Sequence, residues 1–110
     1  LIIHCVKAYQ EVIKLRKELK PSQAWIIHGF RGNANIAKSL TNIGIFLSIG
    51  ENFNTDAVKQ IPENLLFVES DESILPIDII YQNVATTRGL STAQLQDITT
   101  ANLNTILHRS

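Results

Sequence analysis

The sequence predicts an α/β protein built on a parallel sheet. Three observations carry that reading. Short apolar runs alternate with segments of helical periodicity. The runs are near-continuous instead of alternating apolar with polar, as in parallel strands covered on both faces. Two of them, Leu1-Ile2-Ile3-His4 and Trp25-Ile26-Ile27-His28, share the ending Ile-Ile-His one βα unit apart. A βα unit repeating at that interval is what an eight-stranded β/α barrel supplies, typically in about 250 residues. Four units make half of one, so residues 1–110 read as a single domain carrying half of a TIM (β/α)8 barrel.

The elements follow in order. Leu1–Cys5 is a buried strand. Lys7–Lys20 has Ala8, Val12, Ile13, Leu15 and Leu19 close to helical spacing before Pro21 stops it. Ala24–Phe30 is the second strand. Asn33–Ile43 is a helix with Ile36, Ala37, Leu40 and Ile43 inward and Gly44 behind it. Ile45–Ile49 is the third strand and Thr55–Gln60 a brief helix ended by Pro62. Leu65–Val68 is the fourth strand. After Pro76, Ile77–Arg88 is a helix with Ile80, Tyr81, Val84 and Ala85 as its stripe, closed by Gly89. Ser91 with Gln94 forms a capping box for a last helix reaching about His108, with Leu95, Ile98, Leu103 and Ile106 inward.

Composition excludes several classes. The 110 residues are 45% hydrophobic, enough for one modest core. Lys+Arg and Asp+Glu balance at 10 each, so there is no polyelectrolyte surface for nucleic acid, although local phosphate contacts stay open. No apolar run reaches the roughly 20 residues of a membrane span. The single cysteine, Cys5, rules out an intrachain disulfide and fits a reducing, cytoplasmic compartment. The chain opens inside an apolar run and contains no Met, which reads as the later part of a longer chain.

Chemistry is expected at the strand ends. His4 and His28 close two strands, and Glu69-Ser70-Asp71 follows a third. In parallel α/β folds, active sites are built at the carboxyl ends of strands. Two imidazoles and a carboxylate there suit a divalent metal of the zinc or manganese type. The alternative is that the histidines belong to the core and Asp71 caps a turn. As a site residue, Asp71 would take a proton from a metal-activated water or hold that water in line. Glu69 lies two residues earlier on the same strand face, suited to supporting the ligands from behind. Lys7 and Arg31 each follow a histidine by three positions and are candidates for holding substrate phosphate from the loop rim. Trp25 reads as core packing.

These residues resemble a known family. Ile27-His28-Gly29-Phe30-Arg31-Gly32 resembles the His-Cys-Phe-x-Gly segment of TatD-type metal-dependent hydrolases. Glu69-Ser70-Asp71 resembles their Glu-Thr-Asp, and Thr99-Thr100-Ala101-Asn102 their Thr-x-x-Asn signature in the last helix. Arg88-Gly89-Leu90-Ser91 also fits. The resemblance covers nearly the whole chain. It implies a TIM barrel of the amidohydrolase class, with this chain as its fifth to eighth strands, and a metal-dependent deoxyribonuclease activity. It also implies that His4, His28 and Asp71 bind divalent metal (Zn, Mg or Mn). The family's remaining ligands, a His-x-His pair and a Glu, belong to a missing N-terminal half. The implied partners are DNA or another phosphoester substrate, together with that missing half or a second copy of the chain covering the open sheet edges. Two positions depart from the pattern. Gly29 stands where the family has Cys, and Glu72–Pro76 is shorter than the family's substrate loop. The other readings are an amidohydrolase acting on an amide or lactone, and a non-catalytic α/β binding module.

Overall fold

The computed structural model describes residues 2–4, 9–19, 23–70 and 73–109, with 2–4 and 109 as backbone. Four strands, β1 (Ile2–His4), β2 (Ile26–His28), β3 (Phe46–Ile49) and β4 (Leu66–Val68), alternate with helices α1 (Tyr9–Leu19), α2 (Ala34–Asn42), α3 (Thr55–Gln60), α4 (Ile77–Arg88) and α5 (Thr92–Arg109). A 3-10 turn at Glu63–Leu65 leads into β4. All strand pairs are parallel, and their order in the sheet is β1-β2-β3-β4. The order never reverses, unlike a doubly wound sheet. The expectation of a parallel α/β fold therefore holds.

Register explains the core. Ile26 pairs with Phe46, Leu47 with Leu66 and Ile49 with Val68. Strand side chains alternate between faces. Ile27, Leu47, Ile49 and Leu66 fall on one face and are fully buried against Ala37, Leu40, Val58, Ile80, Val84 and Leu95 of the helices. Ile26, Phe46 and Phe67 fall on the other face, where they form a smaller cluster with Ala24, Leu65 and Ile106. The Phe46 and Phe67 rings lie 5.5 Å apart. The two faces are thus covered unequally, the main core lying on the helical side.

Local chemistry sets the helix ends. The Asn33 side chain accepts the Ile36 N–H at 2.9 Å and the Asn54 side chain the Ala57 N–H at 2.9 Å, each satisfying an orphan donor of a first turn. The Ser91–Gln94 box forms as expected: Gln94 N–H donates to Ser91 Oγ at 3.1 Å and Ser91 N–H to Gln94 Oε1 at 2.9 Å. Gly89 ends α4 in the left-handed region (φ 72). Trp25 is 3% exposed with the Arg16 guanidinium 5.3 Å above its ring, as core packing requires.

Three apolar residues expected inward are not. Leu15 is 47% and Leu19 61% exposed, because Tyr9 and Ile13 supply the buried stripe of α1 and Leu15 lies two residues, or about 200°, round from Ile13. Leu103 is 50% exposed because the inward stripe of α5 runs through Leu95, Thr99, Asn102 and Ile106. Two polar residues thus hold positions in that stripe.

Their partners explain it. Asn102 Nδ2 donates to the carbonyls of Glu63 and Leu66 at 2.7 and 2.8 Å. The Thr99 and Tyr81 hydroxyls share a hydrogen bond of 2.9 Å that ties α5 to α4. Arg88 makes a similar clamp, its Nη1 donating to Val58 O and Ile61 O at 2.6 and 2.7 Å. Burial lowers the Arg88 pKa below the ordinary arginine value, with Glu63 opposing. Arg88→Met is expected to leave two carbonyls at the end of α3 without their donor, at about 1–3 kcal/mol. A urea midpoint that does not move would refute it.

Candidate functional site

The carboxyl ends of β2, β3 and β4 form the site. His4 and His28 are paired in register at the last positions of β1 and β2, so both residues reach the same edge of the sheet. Of His4 only the backbone is described. Asp71, Lys7 and Cys5 lie outside the described residues, and Arg31 stands exposed at the rim. Among the described residues no three His, Cys, Asp or Glu side chains form a group able to hold a metal ion.

What the structure brings together is His28, Gly29 and Glu69. Glu69 follows β4 directly, and its N–H continues the ladder by donating to Ile49 O at 2.9 Å. Its side chain crosses above β3 to β2. Oε2 lies 2.8 Å from His28 Nδ1, and Oε1 accepts the Gly29 N–H at 2.7 Å. Beneath that crossing, β3 and the residue after it carry Ser48 and Gly50, small residues that leave the carboxylate room. Both partners are largely enclosed, with side-chain exposures of 15% for His28 and 11% for Glu69. The carboxylate is thus held at both oxygens, and the imidazole is fixed in plane and in position.

This arrangement selects a tautomer. A neutral His28 donates its Nδ1 proton to Glu69, which makes Nε2 the nitrogen for a ligand lone pair. A carboxylate on the far nitrogen is what orients a metal-ligating imidazole and raises its basicity. The geometry at His28 is the kind that supports a ligating imidazole; the ligand roles expected of the His4 side chain and of Asp71 fall outside the described residues.

Gly29 has a specific reason to be glycine. It lies at φ +65, and a Cβ there would touch nothing within 4 Å. Its requirement is therefore conformational, not steric: the left-handed turn is what aims its N–H at Glu69. Gly29→Val is expected to destabilise the protein by about 1–2 kcal/mol and to weaken metal binding together with stability. Thermal unfolding with and without metal reads both, and an unchanged midpoint counts against it.

Beside the pair lies a cavity of about 40 Å³, lined by Arg31, Glu51, Asn52, Glu69 and Ser73 with Gly29 and Gly50. Sequence reasoning found Arg31 and Glu69 and missed Glu51, Asn52 and Ser73. The signal was available, since all three lie just beyond the ends of β3 and β4. Thr99 and Asn102 are not part of the site. Asn102 acts at the opposite end of β4, where Leu66 begins it, and Thr99 ties α5 to Tyr81 of α4.

A histidine held by a carboxylate at the carboxyl rim of a parallel α/β sheet defines a candidate hydrolase-type metal centre. The profile of the TatD related DNase family matches residues 1–108, and the chain belongs to that family. It is 24% identical over 82 residues to an uncharacterized metal-dependent hydrolase of Haemophilus influenzae, a match covering 68% of this chain and 31% of the relative. The crystal structure of a hydrolase TatD family protein from Entamoeba histolytica superposes with a TM-score of 0.81 at 17% identity, over 96% of this chain and 50% of that one. An uncharacterized amidohydrolase from Saccharomyces cerevisiae gives a TM-score of 0.78 at 16% identity, over 96% of this chain and 53% of the other. The chain therefore spans about a third of the curated relative and about half of each solved structure.

Proposed function

We propose that this chain is the second half of a (β/α)8 barrel, its strands the fifth to eighth, in a metal-dependent hydrolase that cleaves phosphodiesters with metal-activated water. The carrying observation is the Glu69–His28 contact of 2.8 Å at the strand-end rim, the support a ligating imidazole needs. The unreversed, all-parallel strand order supports the barrel, as do the half-length matches to the two solved structures. Family membership and the metal-dependent relative support the chemistry.

His28, His4 and Asp71 would hold the metal, which when bound lowers the pKa of water and polarises the phosphoryl oxygen. Glu69 keeps the His28 Nδ1 proton and so fixes which nitrogen faces the ligand. Asp71 would be the group to accept a proton from the attacking water. The test is metal analysis of the full-length protein with a phosphodiesterase assay in the presence and absence of chelator. Stoichiometric divalent metal and chelator-sensitive cleavage are expected. A metal-free protein that is equally active would overturn the reading.

A second reading has its own observation. Along the sequence only residues 71–76 separate Ser70 from α4, leaving little loop to embrace a nucleic acid. Amide or lactone hydrolysis is therefore the alternative, and a lactone and an N-acyl amide belong in the same assay. No helix among the described residues is long and apolar enough to cross a membrane.

The open edges give a further expectation. β1 and β4 each pair on one side only among the described residues, leaving backbone groups that a barrel would pair. The 110-residue chain alone should associate with the missing half or with a second copy, and should show little or no hydrolase activity. A compact monomer at micromolar concentration in sedimentation, or cleavage at the full-length rate, would contradict this.

A further inference from the structure

On the face of the sheet opposite the main core, a buried hydroxyl has no partner among the described residues. Ser48 is 7% exposed. Leu47 and Ile49 turn to the helices, so Ser48 between them turns to the inner face with Phe46 and Phe67. Its backbone carbonyl accepts the Phe30 N–H, but its side chain makes no hydrogen bond with the described residues. A hydroxyl carries one donor and two acceptor sites, and buried polar side chains are ordinarily bonded.

The surroundings say where a partner can lie. Register sets His28 one step past the Ile27–Leu47 pair, opposite Ser48 on β2, and Phe67 opposite Ser48 on β4. Toward the start of the strands this face is closed by Ile26, Phe46 and Leu65, all apolar. Toward the carboxyl end comes Gly50, where a Cβ would lie 3.9 Å from Glu69 Cγ. The Glu69 side chain therefore passes over β3 one pleat above Ser48. A carboxylate offers about four lone-pair sites. Glu69 uses one for the Gly29 N–H and one for His28. An unused donor thus lies beneath a carboxylate with lone pairs to spare.

Distance selects the link between them. Two residues rise about 6.6 Å along a strand, too far for a direct hydrogen bond. Two hydrogen bonds through one water span about 5.5 Å. Water can enter, because among the described residues Arg88 Nε alone is a fully enclosed side-chain N or O atom without a partner. Ser48 Oγ therefore keeps an opening. A water there has at least the two polar partners that a buried water requires.

We propose that Ser48 Oγ and the Glu69 carboxylate hold a water between them, which makes Ser48 a positioning residue that steadies Glu69 against His28. The water site stands on the fold alone. The positioning role rests on the hydrolase reading.

The experiment uses the full-length, metal-free protein. Its crystal structure should show a water within about 3 Å of both Ser48 Oγ and a Glu69 oxygen. A side chain from elsewhere in the protein in that place, or Ser48 bonded directly to Glu69, overturns the site. Ser48→Thr keeps the hydroxyl, and Ser48→Val puts a methyl in its place at the same shape. Ser48→Val should lower divalent metal affinity about three- to tenfold, short of the effect of losing a direct partner of the ligand. Ser48→Thr should stay near wild type. The NMR signal of the His28 Nδ1 proton should be lost to solvent exchange in Ser48→Val and kept in Ser48→Thr. A role in packing alone would move both variants alike, so equal affinities and equal His28 signals overturn the positioning role. The water found in a protein without chelator-sensitive hydrolysis would refute the hydrolase reading and keep the site. A chelator-sensitive enzyme with no water at Ser48 would do the reverse.

Discussion

Replacing Glu69 with alanine in the full-length protein should lower divalent metal affinity about 10- to 100-fold, the usual effect of removing the carboxylate behind a ligating histidine. The structure predicts more than a loss. Glu69→Gln preserves shape and can still accept the Gly29 N–H through its carbonyl oxygen. Its NH2 group then faces His28 Nδ1, which must become an acceptor, so the ring proton moves to Nε2 and occupies the ligand position. Glu69→Gln should therefore impair metal binding nearly as much as alanine while unfolding at close to the wild-type temperature. Nitrogen NMR of His28 in the metal-free protein reports the tautomer directly, a readout that a purely structural role for Glu69 would not move. Wild-type metal affinity in Glu69→Gln, or an Nε2–H tautomer in the wild type, would sink the assignment.

The second large effect is on stability and lies at the other end of the sheet. Asn102 is 5% exposed and holds two carbonyls, those of Glu63 and Leu66. Asn102→Leu keeps the volume and removes both donors. The buried Leu66 carbonyl loses its side-chain donor, whereas the Glu63 carbonyl is part-exposed and keeps the Leu66 N–H, so a loss of about 1–3 kcal/mol is expected. Asn102→Asp should be worse, because a carboxylate would face two carbonyl oxygens in a buried place. Urea unfolding of the full-length protein measures both, and Leu above Asp in stability is the diagnostic order. Metal affinity of the folded protein should stay the same, since Asn102 acts where β4 begins and the site lies where it ends. A loss of metal affinity without loss of stability would place Asn102 in the wrong role.

The carboxyl that Asn102→Asp introduces has a pH dependence of definite sign. Burial and the two facing carbonyls raise its folded pKa, so it binds its proton more tightly in the folded state than in the unfolded one. The substitution should thus destabilise least at low pH, where the new carboxyl is protonated and can donate to one carbonyl. It should destabilise most above the ordinary carboxylate pKa. A stability gap to wild type that does not widen between pH 4 and pH 7 contradicts the geometry.

Much of the fold was legible along the chain because the signals are local. A near-continuous apolar run marks a strand buried in a parallel sheet, and Ser91 with Gln94 marks a helix start, whatever the rest of the molecule does. The strand-end rule located His28 and Glu69, since a strand's carboxyl end can be read from its own residues. The same rule applied to Ile49 and Val68 points at Glu51, Asn52 and Ser73. They were missed because a polar residue after a strand is ordinary until a cavity forms around it.

What the sequence by itself determined is the order of elements, their caps and the rim on which His28 and Glu69 stand. Only the tertiary structure decided which neighbours meet. That Glu69 reaches over β3 to His28 and the Gly29 N–H depends on the register of three strands, and register is a relation between segments, not a property of any one. That α5 buries Thr99 and Asn102 and exposes Leu103 depends on what lies opposite. The helical period offers several faces, and the one turned inward is the one whose polar groups find Tyr81 and the carbonyls of Glu63 and Leu66. A buried polar side chain is stable only with its partner in place, and that partner lies 18 to 39 residues away along the chain.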